Sequence, residues 1–137
     1  INVKKGQFLA PEKMKHAVEK ITSTGNHNIF LTERGTSFGY GQVSDMTSIP
    51  KMKNLGYPVI FDATHSAQIP GVNQTTGGQR EMIPTLAFSA VAAGSDGLFM
   101  EVHDNPKKAK SDAATQWPIE KLEDLLQKII KINKAIN

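Results

Sequence analysis

Val59-Ile60-Phe61-Asp62-Ala63-Thr64-His65-Ser66-Ala67-Gln68 is an apolar run that turns polar at its end. A buried strand that delivers Asp62, Thr64, His65 and Ser66 at its tip has the form of an active-site strand in an α/β protein, because the carboxyl ends of parallel strands build the site there. The flanking sequence repeats the pattern. Ile1 to Gly6 is strand-like, and Pro11 opens a helix whose Met14, Ala17, Val18 and Ile21 share a face before Gly25 stops it. Asn28 to Arg34 predicts a second strand, with a polar, glycine-rich loop after it and a short helix over Ser48 to Leu55, closed by Gly56. The third strand is Val59 to Thr64. A long loop, Ser66 to Arg80, and a helix over Glu81 to Ala93 with Pro84 in its first turn follow. Gly97 to Val102 predicts the fourth strand. Ile119 to Ile136 predicts a last helix with Leu122, Leu125, Leu126, Ile129, Ile130 and Asn133 on one face.

Four βα units with apolar strands imply a parallel sheet covered by helices. Their strands end at Lys4, Arg34, His65 and Glu101, 30, 31 and 36 residues apart, so each unit places one charged or titratable residue on the same rim. No GxGxxG or GxxxxGK[ST] follows the first strand, which argues against an open nucleotide-binding sheet. A (β/α)₈ barrel typically takes about 250 residues. The expectation is therefore one domain, residues 1–137, forming the carboxyl-terminal half of a (β/α)₈ TIM barrel and supplying roughly its last four βα units.

Composition narrows the function classes. At 39% apolar, 137 residues can bury one core, and no segment approaches the roughly 18 continuous apolar residues of a membrane span. Sixteen Lys and Arg against 13 Asp and Glu give a net charge of only +3, spread along the chain. That balance singles out neither nucleic acid nor a membrane as partner and suits small anionic substrates equally well. There is no cysteine, so neither a disulfide nor a thiolate metal ligand arises within these residues. Ile1-Asn2-Val3-Lys4-Lys5-Gly6 has no initiator methionine or basic leader and reads as cut from something longer.

Lys4 and Arg34 on one rim suit a phosphate or carboxylate, Arg binding it bidentately and Lys as a point charge; either alone is more often a surface cation, and two at matched positions bring the readings level. Lys5 points the opposite way on a strand and takes a structural role. Glu101 and His103 are two apart, and Asp112 lies in the following loop. One His, one Glu and one Asp around the strand-end rim form a three-ligand N/O donor set for a divalent metal such as Mn, Fe or Zn, or else a hydrogen-bond network around an anionic substrate. The glycine-bearing loop Ser66 to Arg80 reads as a lid or as an ordinary loop. Lys107, Lys108 and Lys110 read as a solvated face.

KKGQF at Lys4 to Phe8, TERGTSFGY at Thr32 to Tyr40, DATHSAQIPG at Asp62 to Gly71, GLFMEVH at Gly97 to His103 and SDAATQ at Ser111 to Gln116 together resemble the 3-deoxy-D-manno-octulosonate 8-phosphate synthases. The resemblance runs over nearly the whole chain and covers the carboxyl half of that enzyme. It implies a cytoplasmic (β/α)₈ transferase, generally a homotetramer, that condenses phosphoenolpyruvate with arabinose 5-phosphate in lipopolysaccharide biosynthesis. It further implies that Lys4 and Arg34 hold phosphoenolpyruvate, with His65 beside its phosphate, and that these three residues carry catalysis. In metal-dependent members His65, Glu101 and Asp112 would ligate the metal together with an upstream cysteine. Metal-independent members have asparagine at that position and need no cofactor, while DATHS and SDAATQ look closer to the metal-dependent ones. The loop after the third strand would be the family's lid. The related 3-deoxy-arabino-heptulosonate 7-phosphate synthases, which use erythrose 4-phosphate, and a non-catalytic half-barrel fragment are the alternatives.

Overall fold

A computed structural model of the chain describes residues 1–37, 41–69 and 77–137. Four strands, β1 (Asn2–Lys4), β2 (Phe30–Glu33), β3 (Val59–Asp62) and β4 (Gly97–Phe99), form one sheet in the order of the chain. All three pairings are parallel: Lys4 lies opposite Thr32, Thr32 opposite Ile60, and Ile60 opposite Gly97. Helices α1 (Lys15–Thr22), α2 (Ser48–Lys53) and α3 (Ile83–Ala92) make the crossovers, and α4 (Leu122–Ile136) packs on α3. Crossovers between sequential parallel strands are right-handed as a rule, which places the helices on one face of the sheet. Mixed α/β content with a parallel sheet is thus present as read from the periodicities.

Register sorts the side chains. Leu31, Val59, Phe61 and Ala63 point to the helices and are fully buried, packed with Met14, Ile49, Met52, Ile83, Ala87 and Leu125. The other face carries Asn2, Lys4, Phe30, Thr32, Ile60, Asp62 and Phe99, and there Phe30 remains 51% exposed. Lys5 faces the helices with Glu33, as strand alternation requires. Both are buried, 3.5 Å apart, and the lysine also reaches the Thr36 hydroxyl at 3.3 Å.

Several boundaries differ from the expectation. The first, third and fourth helices begin with a turn of 3₁₀ helix, at Pro11–Met14, Arg80–Met82 and Ile119–Lys121. β4 stops at Phe99 rather than Val102, because Ala63 N–H takes the Phe99 carbonyl and the Thr64 hydroxyl then accepts the Glu101 N–H in place of a ladder partner. The chain veers off there, and Val102–His103 pairs instead with Trp117–Pro118. Two short hairpins occupy stretches read as loop: Thr36–Ser37 with Gln42–Val43, and Gln68–Ile69 with Gly77–Gly78. Of the lid reading, residues 70–76 lie outside the described residues. On α4, Leu125 is buried, whereas Leu126 and Ile130 are 42% and 52% exposed, so the predicted apolar face is only half covered. No helix among the described residues is long and apolar enough to cross a membrane.

Candidate functional site

The sheet ends in charge on the face away from the helices. Lys4, the last residue of β1, extends its ammonium to Asp62 Oδ2 at 2.7 Å and over the Phe99 ring, 4.7 Å from its centre. Asp62 ends β3 with no exposed surface. Its Oδ1 accepts the Thr64 hydroxyl at 3.2 Å and the His65 backbone N–H at 2.9 Å, a turn that caps the strand and starts the 3₁₀ helix His65–Ala67. Its Oδ2 lies 2.9 Å from His65 Nδ1, off the straight line of a hydrogen bond. Burial alone would push the Asp62 carboxyl up, but the contacts with His65 and Lys4 outweigh it and hold the group below the usual carboxylate range.

Having its Nδ1 against Asp62, His65 turns Nε2 outward, 3.5 Å from Glu101 Oε1. The other Glu101 oxygen accepts the Gln116 amide at 2.6 Å. Asp112 sits in the loop beyond at φ +50°, and its carbonyl takes the N–H groups of Thr115 and Gln116. One ligand atom each from His65, Glu101 and Asp112 lies within 4.8 Å of the other two. The structure therefore brings together the three residues proposed as metal ligands. An imidazole nitrogen and two carboxylates suit a divalent cation of the Mn, Fe or Zn kind. His103 does not join them: its Nδ1 turns to Asp104 at 2.7 Å, because the chain has left the sheet before that residue.

Arg34 follows β2 directly. Its Nη2 donates to Gln68 Oε1 at 3.2 Å, and Gln68 Nε2 in turn donates to Asp112 Oδ1. The Gln42 amide holds the main chain beneath, donating to the carbonyls of Arg34 at 2.6 Å and His65 at 2.7 Å. Lys4, Arg34, His65, Glu101 and Asp112 thus belong to one network of direct or glutamine-bridged contacts at the carboxyl end of the sheet. Asp62 and the glutamines at 42, 68 and 116 went unassigned in the sequence. Asp62, Gln68 and Gln116 stand inside the motifs quoted above, but a lone amide carries no charge or periodicity to mark it, and Gln42 sits in a stretch read as loop. Lys107, Lys108 and Lys110 are all exposed, in keeping with a solvated face.

The sequence matches the DAHP synthetase I family over residues 1–137. It is 55% identical to the 2-dehydro-3-deoxyphosphooctonate aldolase of Geobacter sp. (strain M21), over 100% of this chain and 51% of that protein. It is 54% identical to the protein of the same name from Cyanothece sp. (strain PCC 7425 / ATCC 29141), covering 99% and 50%. For that of Xanthomonas campestris pv. campestris (strain B100) the figures are 52% identity, 97% and 49%. The chain spans about half the length of the curated relatives it matches, and it belongs to the DAHP synthetase I family.

Proposed function

We propose that residues 1–137 form the carboxyl-terminal half of a single (β/α)₈ barrel domain whose complete form condenses phosphoenolpyruvate with arabinose 5-phosphate to 3-deoxy-D-manno-octulosonate 8-phosphate and phosphate, a step toward a lipopolysaccharide sugar. The observation that carries the reading is the convergence of two cations, Lys4 and Arg34, with the His65, Glu101 and Asp112 donor set on one rim of a parallel sheet. The names of the relatives give the product class. Three surfaces left uncovered among the described residues support the barrel: the sheet face bearing Phe30, the long outer edges of β1 and β4, and the flank of α4 bearing Leu126 and Ile130. Each is where the strands and helices of the other half would pack.

In the reaction C3 of phosphoenolpyruvate attacks the aldehyde carbon, and the aldehyde oxygen gains a proton. Water adds at C2 and loses one, and the tetrahedral centre then expels phosphate by C–O cleavage. Lys4 has 38% of its side chain exposed while one N–H engages Asp62, so donors remain for an anion. Arg34 keeps its buried Nε without a partner among the described residues. These two cations orient phosphoenolpyruvate and offset its charge. Asp62 fixes the ring of His65, which stands beside the phosphate. A divalent metal held by His65, Glu101 and Asp112 would supply Lewis acidity toward the aldehyde or water. A homotetramer in the cytoplasm is the setting of this reading, with no nucleic-acid or membrane partner.

Phosphate release from phosphoenolpyruvate by the complete protein, compared with arabinose 5-phosphate and erythrose 4-phosphate as acceptors, tests the assignment. Preference for the pentose is expected. Preference for erythrose 4-phosphate would move the chain to the heptulosonate reaction.

A further inference from the structure

Gln68 is the sole described link between the arginine assigned to the anion and the carboxylate assigned to the cation. It stands on the short strand that follows the 3₁₀ turn after β3 and is 9% exposed. Its Oε1 accepts from Arg34 Nη2 at 3.2 Å, and its Nε2 donates to Asp112 Oδ1. A guanidinium can only donate and a carboxylate only accept, so chemistry fixes the orientation of the amide between them. It also fixes the residue type. Glutamate would set a charge against Asp112, a hydrocarbon would leave both partners bare, and asparagine is one methylene too short to reach both. The bridge leaves Arg34 Nε buried and without a partner among the described residues.

We infer that Gln68 is a positioning residue that ties the anion-binding arginine to the candidate metal ligand, so that both sites depend on one buried amide. This rests on the condensation reading and deepens it, since phosphoenolpyruvate and a divalent cation must lie in fixed register for the reaction. Partners in the outer shell of metal ligands typically change metal affinity about 10- to 100-fold when removed. Loss of a hydrogen bond to a charged group changes binding on the order of tenfold.

The test uses the complete protein freed of metal by a chelator and titrated calorimetrically, in separate experiments, with phosphoenolpyruvate and with Mn²⁺. In Gln68→Met, which keeps length and loses both polar ends, each ligand is expected to bind about tenfold more weakly or worse. A merely structural glutamine would lower the melting temperature and leave both dissociation constants of the folded protein unchanged. Wild-type affinity for either ligand in Gln68→Met overturns the bridge. Should that variant fail to fold, Gln68→Asn keeps both groups on a shorter stem; at least one affinity must then fall about tenfold, and retention of both overturns the bridge. Wild-type protein that binds phosphoenolpyruvate and not Mn²⁺ overturns the bridge alone. Wild-type protein that binds neither overturns the condensation reading and the bridge with it.

Discussion

Lys4 and Lys5 are adjacent and have opposite fates, which strand alternation decides. Lys4 reaches the open rim, while Lys5 is driven beneath the sheet, where its burial is tolerable only because Glu33 stands 3.5 Å away. Breaking a buried pair on one side strands the other charge, at a cost of about 3–5 kcal/mol. Lys5→Met is therefore expected to lower the unfolding free energy in urea by about that amount. Lys5→Met combined with Glu33→Gln should recover more than half. The substituted amide still offers an oxygen to the Arg34 and Gly35 N–H groups, which Glu33 Oε1 now accepts at 3.0 and 2.7 Å. No recovery would show that the pair is not what stabilises this corner. On the rim, Asp62→Asn keeps the Oδ1 contacts but turns an amide N–H toward the Lys4 ammonium and the His65 ring. Its kcat/KM for phosphoenolpyruvate should fall on the order of 10- to 100-fold, as for a residue that orients a ligating histidine. An unchanged value would remove Asp62 from the site.

At the scale of elements, periodicity and glycine placement made the four strands and helices legible, because a core face repeats and a stop signal is local. What stayed hidden depends on contacts between distant segments. The departure of β4 at Phe99 needs the Thr64 hydroxyl, 37 residues upstream of Glu101, and the hairpin after β2 needs Gln42 folded over Gly35. Gly35 holds φ +84°, and a Cβ there would meet Gln42 Nε2 at 2.5 Å. Gly35→Ala should accordingly cost about 1–3 kcal/mol and weaken phosphoenolpyruvate binding as Arg34 shifts; wild-type stability by urea titration would contradict this. A second interelement tie is Asp96, which accepts from Lys53 at 2.9 Å and from the Val59 N–H at 2.8 Å, joining α2, β3 and the approach to β4. Burial would push its carboxyl up, but these donors outweigh burial and hold it low. A depressed carboxyl contributes stability above its unfolded value, near 3.9, and loses it as pH falls through the folded value. With 36% of the side chain exposed the pair is screened by solvent. Asp96→Asn should then lose under about 1 kcal/mol at neutral pH and show a shallower loss of stability below about pH 4. An acid limb identical to wild type would refute the tie.

Across the whole molecule, the same four-unit arrangement that gathers the site leaves one sheet face partly open and two sheet edges unpaired among the described residues. Strand edges in a barrel are paired all round, and an unpaired edge templates association. Among the described residues, β1 and β4 each have one unpaired long edge in a four-stranded sheet. Phe30 presents half its surface on the face that a barrel would fill with side chains from the other strands, and Leu126 and Ile130 present theirs where a further helix would lie. Lys4 stands on that same open face with 38% of its side chain exposed, so water reaches the rim from a side that a closed barrel would seal. On the proposed reading, residues 1–137 expressed alone are therefore expected to associate or aggregate and to release no phosphate from phosphoenolpyruvate, while the complete protein is expected to turn over. Sedimentation and phosphate release measured on both separate the cases. A monomeric, soluble fragment that turns over at the rate of the complete protein would show that four units suffice, and the half-barrel reading would have to be given up.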